Sequence, residues 1–136
     1  MAFEIQPGIS MTFYAGATIT NAIGKCVILG DPGEVVEGTA DSPKFIGVIA
    51  TVTAGKTSAA EGDAVTVIVD GVIDVIASAA ITAHGPLALA ANGKVKTNGA
   101  YDSSVTAALL STYIGRALTG ATNDGDIIKA LVGARF

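Results

Sequence analysis

The chain has 136 residues, half of them hydrophobic, with 17 glycines, no tryptophan and only 5% aromatic residues. This length fits one domain, and an apolar content drawn from Ala, Val and Ile favours strands with tight turns over a helical bundle. The net charge is −4 and the eight basic residues are scattered singly, which excludes a clustered Lys and Arg surface for nucleic-acid backbones.

Only 15% of the residues are charged, against ~25% in an average soluble domain. We therefore expect part of the surface to be buried against other subunits or a partner. No window approaches ~20 uninterrupted apolar residues, and the N-terminus lacks the regions of a signal peptide, so we expect no membrane association. The single cysteine, Cys26, forms no internal disulfide, which fits a reducing cytoplasm.

Residues 1–16 are predicted to form an extended N-terminal arm, followed by a single β domain over residues 17–136. Large apolar side chains lie mainly at odd positions of the arm, and Pro7 and Gly8 interrupt the pattern. Such a segment is either an edge strand of its own domain or an arm that reaches a neighbouring chain, since terminal segments stay disordered unless tied down. The predicted partner-binding residues of the arm are Phe3, Ile5, Ile9, Met11, Phe13 and Tyr14.

From Ala17 onward, three sequence blocks occur twice in the same order. Each copy has an Ile-Thr turn followed by glycine, a strand with an Ile-Gly pair, and a Gly-Asp turn into a further strand. We predict a small barrel or sandwich of roughly eight to ten strands, built from two similar halves, about 17–71 and 72–136, in a pseudo-twofold repeat. The blocks are Ile19-Thr20 and Ile81-Thr82, Ile46-Gly47 and Ile114-Gly115, and Gly62-Asp63 and Gly125-Asp126.

The two halves are joined by a predicted hairpin at Asp70-Gly71. Asp-Gly between alternating apolar residues is a strong signal for a two-residue type I′ turn. In this interpretation Val69 faces Val72, and both faces of the hairpin are mostly apolar. The hairpin is then either sandwiched inside its own domain or placed between that domain and a partner.

Other turn signals complete an all-β prediction with at most one short helix. Asp31-Pro32-Gly33 and Asn92-Gly93 predict the turn of the first hairpin in each half. A short helix is plausible over residues 102–112, with Asp102 or Ser103 as its N-cap. A loop or an extra strand is the alternative for that stretch.

Two segments superficially resemble ligand loops. Ala50–Thr57 matches a relaxed phosphate-binding loop, but residues 58–63 are too few for the crossover helix that such a loop must open. Asn123–Asp126 resembles the start of a calcium loop but lacks the later ligands. We interpret the first segment as a surface loop and the second as a repeated turn.

The residues with catalytic potential do not combine into a site. His84 is the only histidine and is interpreted as a turn residue. Cys26 is interpreted as a small buried hydrophobe, because a nucleophilic cysteine needs a neighbouring base. The sequence therefore predicts a protein that is not an enzyme and has no cofactor, metal site or small-molecule substrate.

These elements resemble the small capsid decoration proteins of tailed phages, also called cement or head-stabilising proteins. The motifs that carry the resemblance are the two Ile-Thr turns, the Ile46–Ala50 strand with its echo at Ile114–Leu118, and the run Glu61–Gly71. The resemblance covers about residues 15–132, and the longer stretch 99–112 departs from it.

The resemblance implies a viral structural protein that binds the major capsid protein on the capsid exterior of the virion, after synthesis in the host cytoplasm. It implies a homo-oligomer, with a trimer favoured over a dimer, that bridges capsid subunits. Alternatives are a minor head spike or tail structural component, or a carbohydrate-binding β module, for which the chain has few aromatic rings. If the arm binds the capsid, deleting residues 2–14 should abolish binding and leave the barrel folded.

Overall fold

The computed structural model describes residues 7–98 and 112–133, which form an all-β protein without any helix of seven or more residues. The predicted helix over residues 102–112 falls outside this part except for Thr112. The described residues form nine strands: β1 (Pro7–Ala15), β2 (Cys26–Leu29), β3 (Glu34–Glu37), β4 (Phe45–Val52), β5 (Ala64–Ile76), β6 (Pro86–Leu89), β7 (Val95–Thr97), β8 (Gly115–Ala117) and β9 (Ile127–Gly133).

Strands β1, β3, β2, β4 and β5 form a closed five-stranded barrel. Neighbours in this order are hydrogen-bonded, and β1 pairs with β5 to complete the circle. The predicted all-β barrel is thus confirmed. Its core consists of Phe13, Ala15, Ile19, Ala22, Val27, Val35, Ile49, Val52, Ala59, Val65, Val67 and Val69.

Strands β9, β8, β6 and β7 extend the sheet from the second part of β5. Just after β5, the chain contacts β7 through a parallel bridge at Ala77. The pairing of β8 with β9 is antiparallel, as is the pairing of β4 with β5 in the barrel. Ile49 of β4 lies opposite Val67 of β5, and Ala117 of β8 lies opposite Ala130 of β9. A pseudo-twofold relation, and the division of the chain into an arm and two halves, stay predictions.

The predicted hairpin at Asp70-Gly71 is wrong, because β5 runs through this dipeptide without turning back. The first part of β5 pairs with β1 and β4, and the second part pairs with β9. The β-branched residues before and after Asp70-Gly71 pair with distant strands and not with each other. This long-range pairing overrides the local turn signal. Gly71 has a φ of 141°, a conformation that glycine adopts without steric cost where the strand passes between its two sets of partners.

β5 is apolar on both faces because the two faces pack into different cores. Val67 belongs to the barrel core, whereas the adjacent Ile68 packs in a second cluster that includes Val75, Leu87 and Ile128. Of the two placements predicted for this stretch, burial inside its own domain is the one observed.

The two Gly-Asp turns are held by the same type of contact. The Asp63 carboxylate accepts the N–H of Ala60 at 2.9 Å, and the Asp126 carboxylate accepts the N–H of Asn123 at 3.0 Å. Hydrogen bonding to Lys56, and then to Ala60, lowers the pKa of Asp63; backbone N–H groups, that of Asn123 first, lower the pKa of Asp126. The segment that resembles a calcium loop is therefore a turn whose acid binds its own backbone.

The glycine of each Ile-Gly pair lies where two strands approach closely. A Cβ on Gly47 would overlap the carbonyl oxygen of Ile68, and a Cβ on Gly115 would overlap that of Leu131. A backbone oxygen in a strand ladder cannot move aside without breaking hydrogen bonds. The repeated Ile-Gly motif is therefore required by the contacts of β4 with β5 and of β8 with β9.

Replacing Asp63 or Asp126 with asparagine is expected to lower stability at neutral pH and to flatten its dependence on acid. A carboxyl with a depressed pKa in the folded state contributes stability above its unfolded pKa, ~3.9, and loses it as pH falls through the folded pKa. Urea unfolding, followed by circular dichroism at several pH values, measures the slope. Equal slopes in the wild type and in both variants would contradict the role of the two turns.

Gly47→Ala and Gly115→Ala are each expected to lower the free energy of unfolding by ~1–3 kcal/mol, the usual cost of overpacking. Gly30→Ala is the matched control, because its Cβ would have its nearest neighbour at 3.6 Å, an ordinary contact. Urea denaturation at neutral pH gives the comparison. A loss as large for Gly30→Ala would show that the close approach is not the cause.

Candidate partner-binding surface

Most of the described arm residues predicted to bind a partner lie at the surface. Ile9, Met11 and Tyr14 of β1 have exposed fractions of 53%, 49% and 54%. Phe13 is only 9% exposed and packs in the barrel core. Three of these four residues are therefore available to a partner, whereas Phe13 stabilises the barrel.

The predicted arm is in part a strand of the barrel. Residues 7–15 pair with β5 of the same chain, starting with Pro7 opposite Gly71. Of the two alternatives for this segment, the edge strand is the one observed here. A deletion of residues 2–14 would thus remove nearly all of a barrel strand, so we now expect that variant to lose stability as well as any binding by the arm. Phe3 and Ile5 lie outside the described residues.

β1 has one backbone edge that is largely unpaired. Tyr14 donates its N–H to the Gly33 carbonyl at 3.0 Å, but β3 pairs with only the last two residues of β1. Because peptide groups alternate in direction along a strand, those of Thr12 and Ser10 point to the same side as that of Tyr14. Within the described chain, residues 8–12 have no strand partner on this side, and all are exposed.

The segment around β1 carries no charge of its own. Between residues 5 and 24 the sequence has no Asp, Glu, Lys, Arg or His. Five lysines elsewhere in the described chain are paired with acids, most closely Lys25 with Glu37 at 2.6 Å. A partner of β1 would therefore meet apolar and hydrogen-bonding groups on the strand itself, with the acids Glu34 and Asp70 opposite Tyr14 and Ile9 on the neighbouring strands. The other ion pairs are Lys56–Asp63, Lys94–Asp124, Lys96–Asp41 and Lys129–Asp74.

A groove of about 470 Å³ lies beside the second part of β5. Ile23 and Ile127, which are 44% and 70% exposed, contribute to its lining. The lining is apolar apart from Asp74, whose carboxylate lies 2.9 Å from the Nζ of Lys129. Sequence reasoning missed the groove because segments far apart in the chain form it, and no local pattern marks their meeting.

The other candidate residues serve structural roles. As predicted, Cys26 is buried in the core and His84 lies in a turn, with a φ of 69°. Lys56, in the segment that resembles a phosphate loop, bonds to Asp63 at 2.7 Å, and the flanking strands β4 and β5 are antiparallel. In residues 7–98 and 112–133, no three His, Cys, Asp or Glu side chains are grouped to hold a metal. The same residues include no helix with the length and hydropathy of a membrane span.

Comparisons with known proteins agree with this architecture. A family model described as phage cement protein matches residues 5–133. Among solved structures, the head fiber gp8.5 N base of bacteriophage phi29 is similar, with a TM-score of 0.55 and 18% identity over 92% of this chain and 93% of that chain. At this identity the likeness shows the fold alone. No curated protein matches the chain.

Cys26 is expected to resist thiol reagents in the folded protein. Burial raises the pKa of its thiol to about 12, so at neutral pH the reactive thiolate is scarce and the sulfur is inaccessible. Labelling with Ellman's reagent should require urea, whereas a Thr20→Cys variant should gain one fast-reacting thiol at the surface. Rapid labelling of Cys26 in native buffer would contradict its buried position.

Proposed function

The chain belongs to the phage cement protein family, and from this membership we propose that it binds the outer surface of the assembled capsid and bridges major capsid protein subunits. The observation that carries the proposal is the family match over residues 5–133, which include all nine described strands. Exposed apolar side chains on β1, those of Ile9, Met11 and Tyr14, fit a structural role in which the protein binds another protein.

Binding only to the assembled shell is sufficient to stabilise it. At a hundredfold excess of free protein over Kd, each occupied site contributes ~2.7 kcal/mol by mass action. Repeated over many sites, this contribution opposes the outward pressure of packaged DNA. Each site needs only an interface of ordinary size, on the order of 1,600 Å² in total.

We propose β1 as the strand that contacts the capsid. Ile9, Met11 and Tyr14 provide exposed apolar side chains, and the peptide groups of Ser10 and Thr12 provide hydrogen-bonding capacity on the open edge. Apolar contact with few charges is typical of the central part of protein interfaces.

The bound form is proposed to be a homo-oligomer on the capsid exterior, a trimer rather than a dimer. The low content of charged residues, 15%, supports burial of surface beyond what one chain covers by itself. Size-exclusion chromatography with light scattering measures the state directly. A mass of one chain at all concentrations would overturn this part of the proposal.

A minor head spike is the second candidate, and the likeness in fold to a head fiber base favours it. Both candidates attach to the head, but a spike occupies few positions whereas a cement protein occupies many. Cryo-electron microscopy of particles saturated with the protein distinguishes them by the number of occupied sites.

Met11→Ser and Tyr14→Ser are each expected to weaken capsid binding about tenfold, because truncating an exposed apolar anchor at an interface costs more than ~1 kcal/mol. Co-sedimentation with expanded capsids that lack the protein gives the affinity. Leu131→Ser is the matched control, since Leu131 of β9 is also exposed, by 45%. Unchanged binding by both β1 variants, or an equal loss in the control, would rule out β1 as the contact.

A further inference from the structure

Two exposed apolar side chains of β1 each lie beside an acid of a neighbouring strand. Tyr14 is paired with Glu34 of β3, and Ile9 is paired with Asp70 of β5. Neighbouring strands lie ~5 Å apart, and residues directly opposite each other point their side chains to the same face of the sheet. Each of these exposed apolar side chains therefore has a carboxylate next to it.

The two acids form no ion pair within the described chain. Five lysines pair with acids, and neither Glu34 nor Asp70 is among those acids. Asp63 and Asp126, by contrast, accept backbone N–H groups in their own turns. Asp70 is exposed and Glu34 is half-buried, so both carboxylates can accept a charged group from another molecule.

An apolar side chain with a carboxylate next to it fits the side chain of a lysine or an arginine. Such a side chain covers apolar surface with its aliphatic stem while its charged end stays in contact with water or an acid. Over the ring of Tyr14, the cation is also attracted by the aromatic face. An acidic side chain at the same place would meet a like charge, and an apolar one would cover the carboxylate without pairing it, which costs free energy.

The two acid-flanked positions lie near the two ends of the open backbone edge of β1. Ile9 and Tyr14 are five residues apart, which corresponds to ~17 Å along an extended strand. Glu34 begins β3, which pairs with β1 where the open part of the edge ends. Asp70 lies on the other side of β1, two strand spacings or ~10 Å from a partner on the open edge. A long basic side chain would reach it by lying over Ile9.

We propose that the surface bound by β1 presents two basic side chains ~17 Å apart, one at each acid-flanked position. One lies over Tyr14 and pairs with Glu34. The other lies over Ile9 and pairs with Asp70. This inference rests on the proposed function, in which that surface belongs to the major capsid protein, and it specifies the chemistry of the contact.

The charge pairs and the apolar side chains have different effects on binding. Burial of the apolar side chains contributes affinity, whereas charges at the edge of an interface mainly set the association rate and the register. The net charge of −4 acts in the same direction, because it attracts a basic surface before contact is made.

Neutralising the two acids should weaken capsid binding and leave the fold intact. Glu34→Gln and Asp70→Asn keep the size of each side chain, and each is expected to lower the affinity about two- to fivefold, the effect of one exposed ion pair. Co-sedimentation at low ionic strength with expanded capsids that lack the protein gives the affinity, and circular dichroism checks the fold.

Asp124→Asn is the matched control, because it removes the same charge from the turn between β8 and β9, where Asp124 is exposed. Its affinity for capsids should equal that of the wild type. Unchanged binding by both the Glu34 and the Asp70 variants, or an equal loss in the control, would overturn the proposal.

Salt dependence separates a charged contact from a purely apolar one. The Debye length falls from ~10 Å at 0.1 M salt to ~3 Å at 1 M, so charge pairs weaken as salt is added. The affinity of the wild type should therefore decrease with salt, and that of the double variant Glu34→Gln with Asp70→Asn should decrease less. Equal salt dependence of the two proteins would contradict the charge pairs.

Reversing one charge identifies the sign of the partner surface. Glu34→Lys should weaken binding more than Glu34→Gln, because it places two like charges together. Binding by Glu34→Lys that is as tight as that of Glu34→Gln, or tighter, would overturn the proposal. If the wild type binds capsids and all variants bind equally well at every salt concentration, this inference fails and the proposed function stands. If the wild type does not bind capsids at all, both fail.

Discussion

The fold depends on β5 being hydrogen-bonded on both edges at its centre and packed on both faces. Its first part completes the barrel with β1 and β4, and its second part starts the remaining strands through β9. Val67 and Ile68, adjacent in sequence, pack into two different cores. Because one strand belongs to both cores, loss of its pairing would expose apolar surface in both parts of the protein at once.

Much of the fold could be predicted from the sequence because its turns have local causes. Gly62-Asp63 and Gly125-Asp126 require a glycine at positive φ and an acid that binds nearby N–H groups, and the structure has both. The turn between β2 and β3 and that between β6 and β7 were likewise predictable. Asp70-Gly71 carries an equally strong local turn signal, but the residues on both sides of it pair with distant strands and do not form a hairpin.

The candidate site could be predicted only in part, because exposure depends on contacts between distant segments. The alternation in residues 1–16 identified an apolar strand but could not distinguish Met11, which is exposed, from Phe13, which is buried on the barrel. The open edge of β1 follows from the short length of β3, and the groove follows from the path of β5. Neither property belongs to a single segment, so no local pattern contains them.

β1 and β9 both pair with the centre of β5, one on each of its edges. Pro7 lies opposite Gly71, and Gly133 lies opposite Asp70, on the other edge of the strand. Two inter-strand spacings, ~10 Å, therefore separate β1 and β9 there. A side chain at position 71, where φ is 141°, would strain β5 at the point where both pairings are made, so it would disturb the barrel and the remaining strands together.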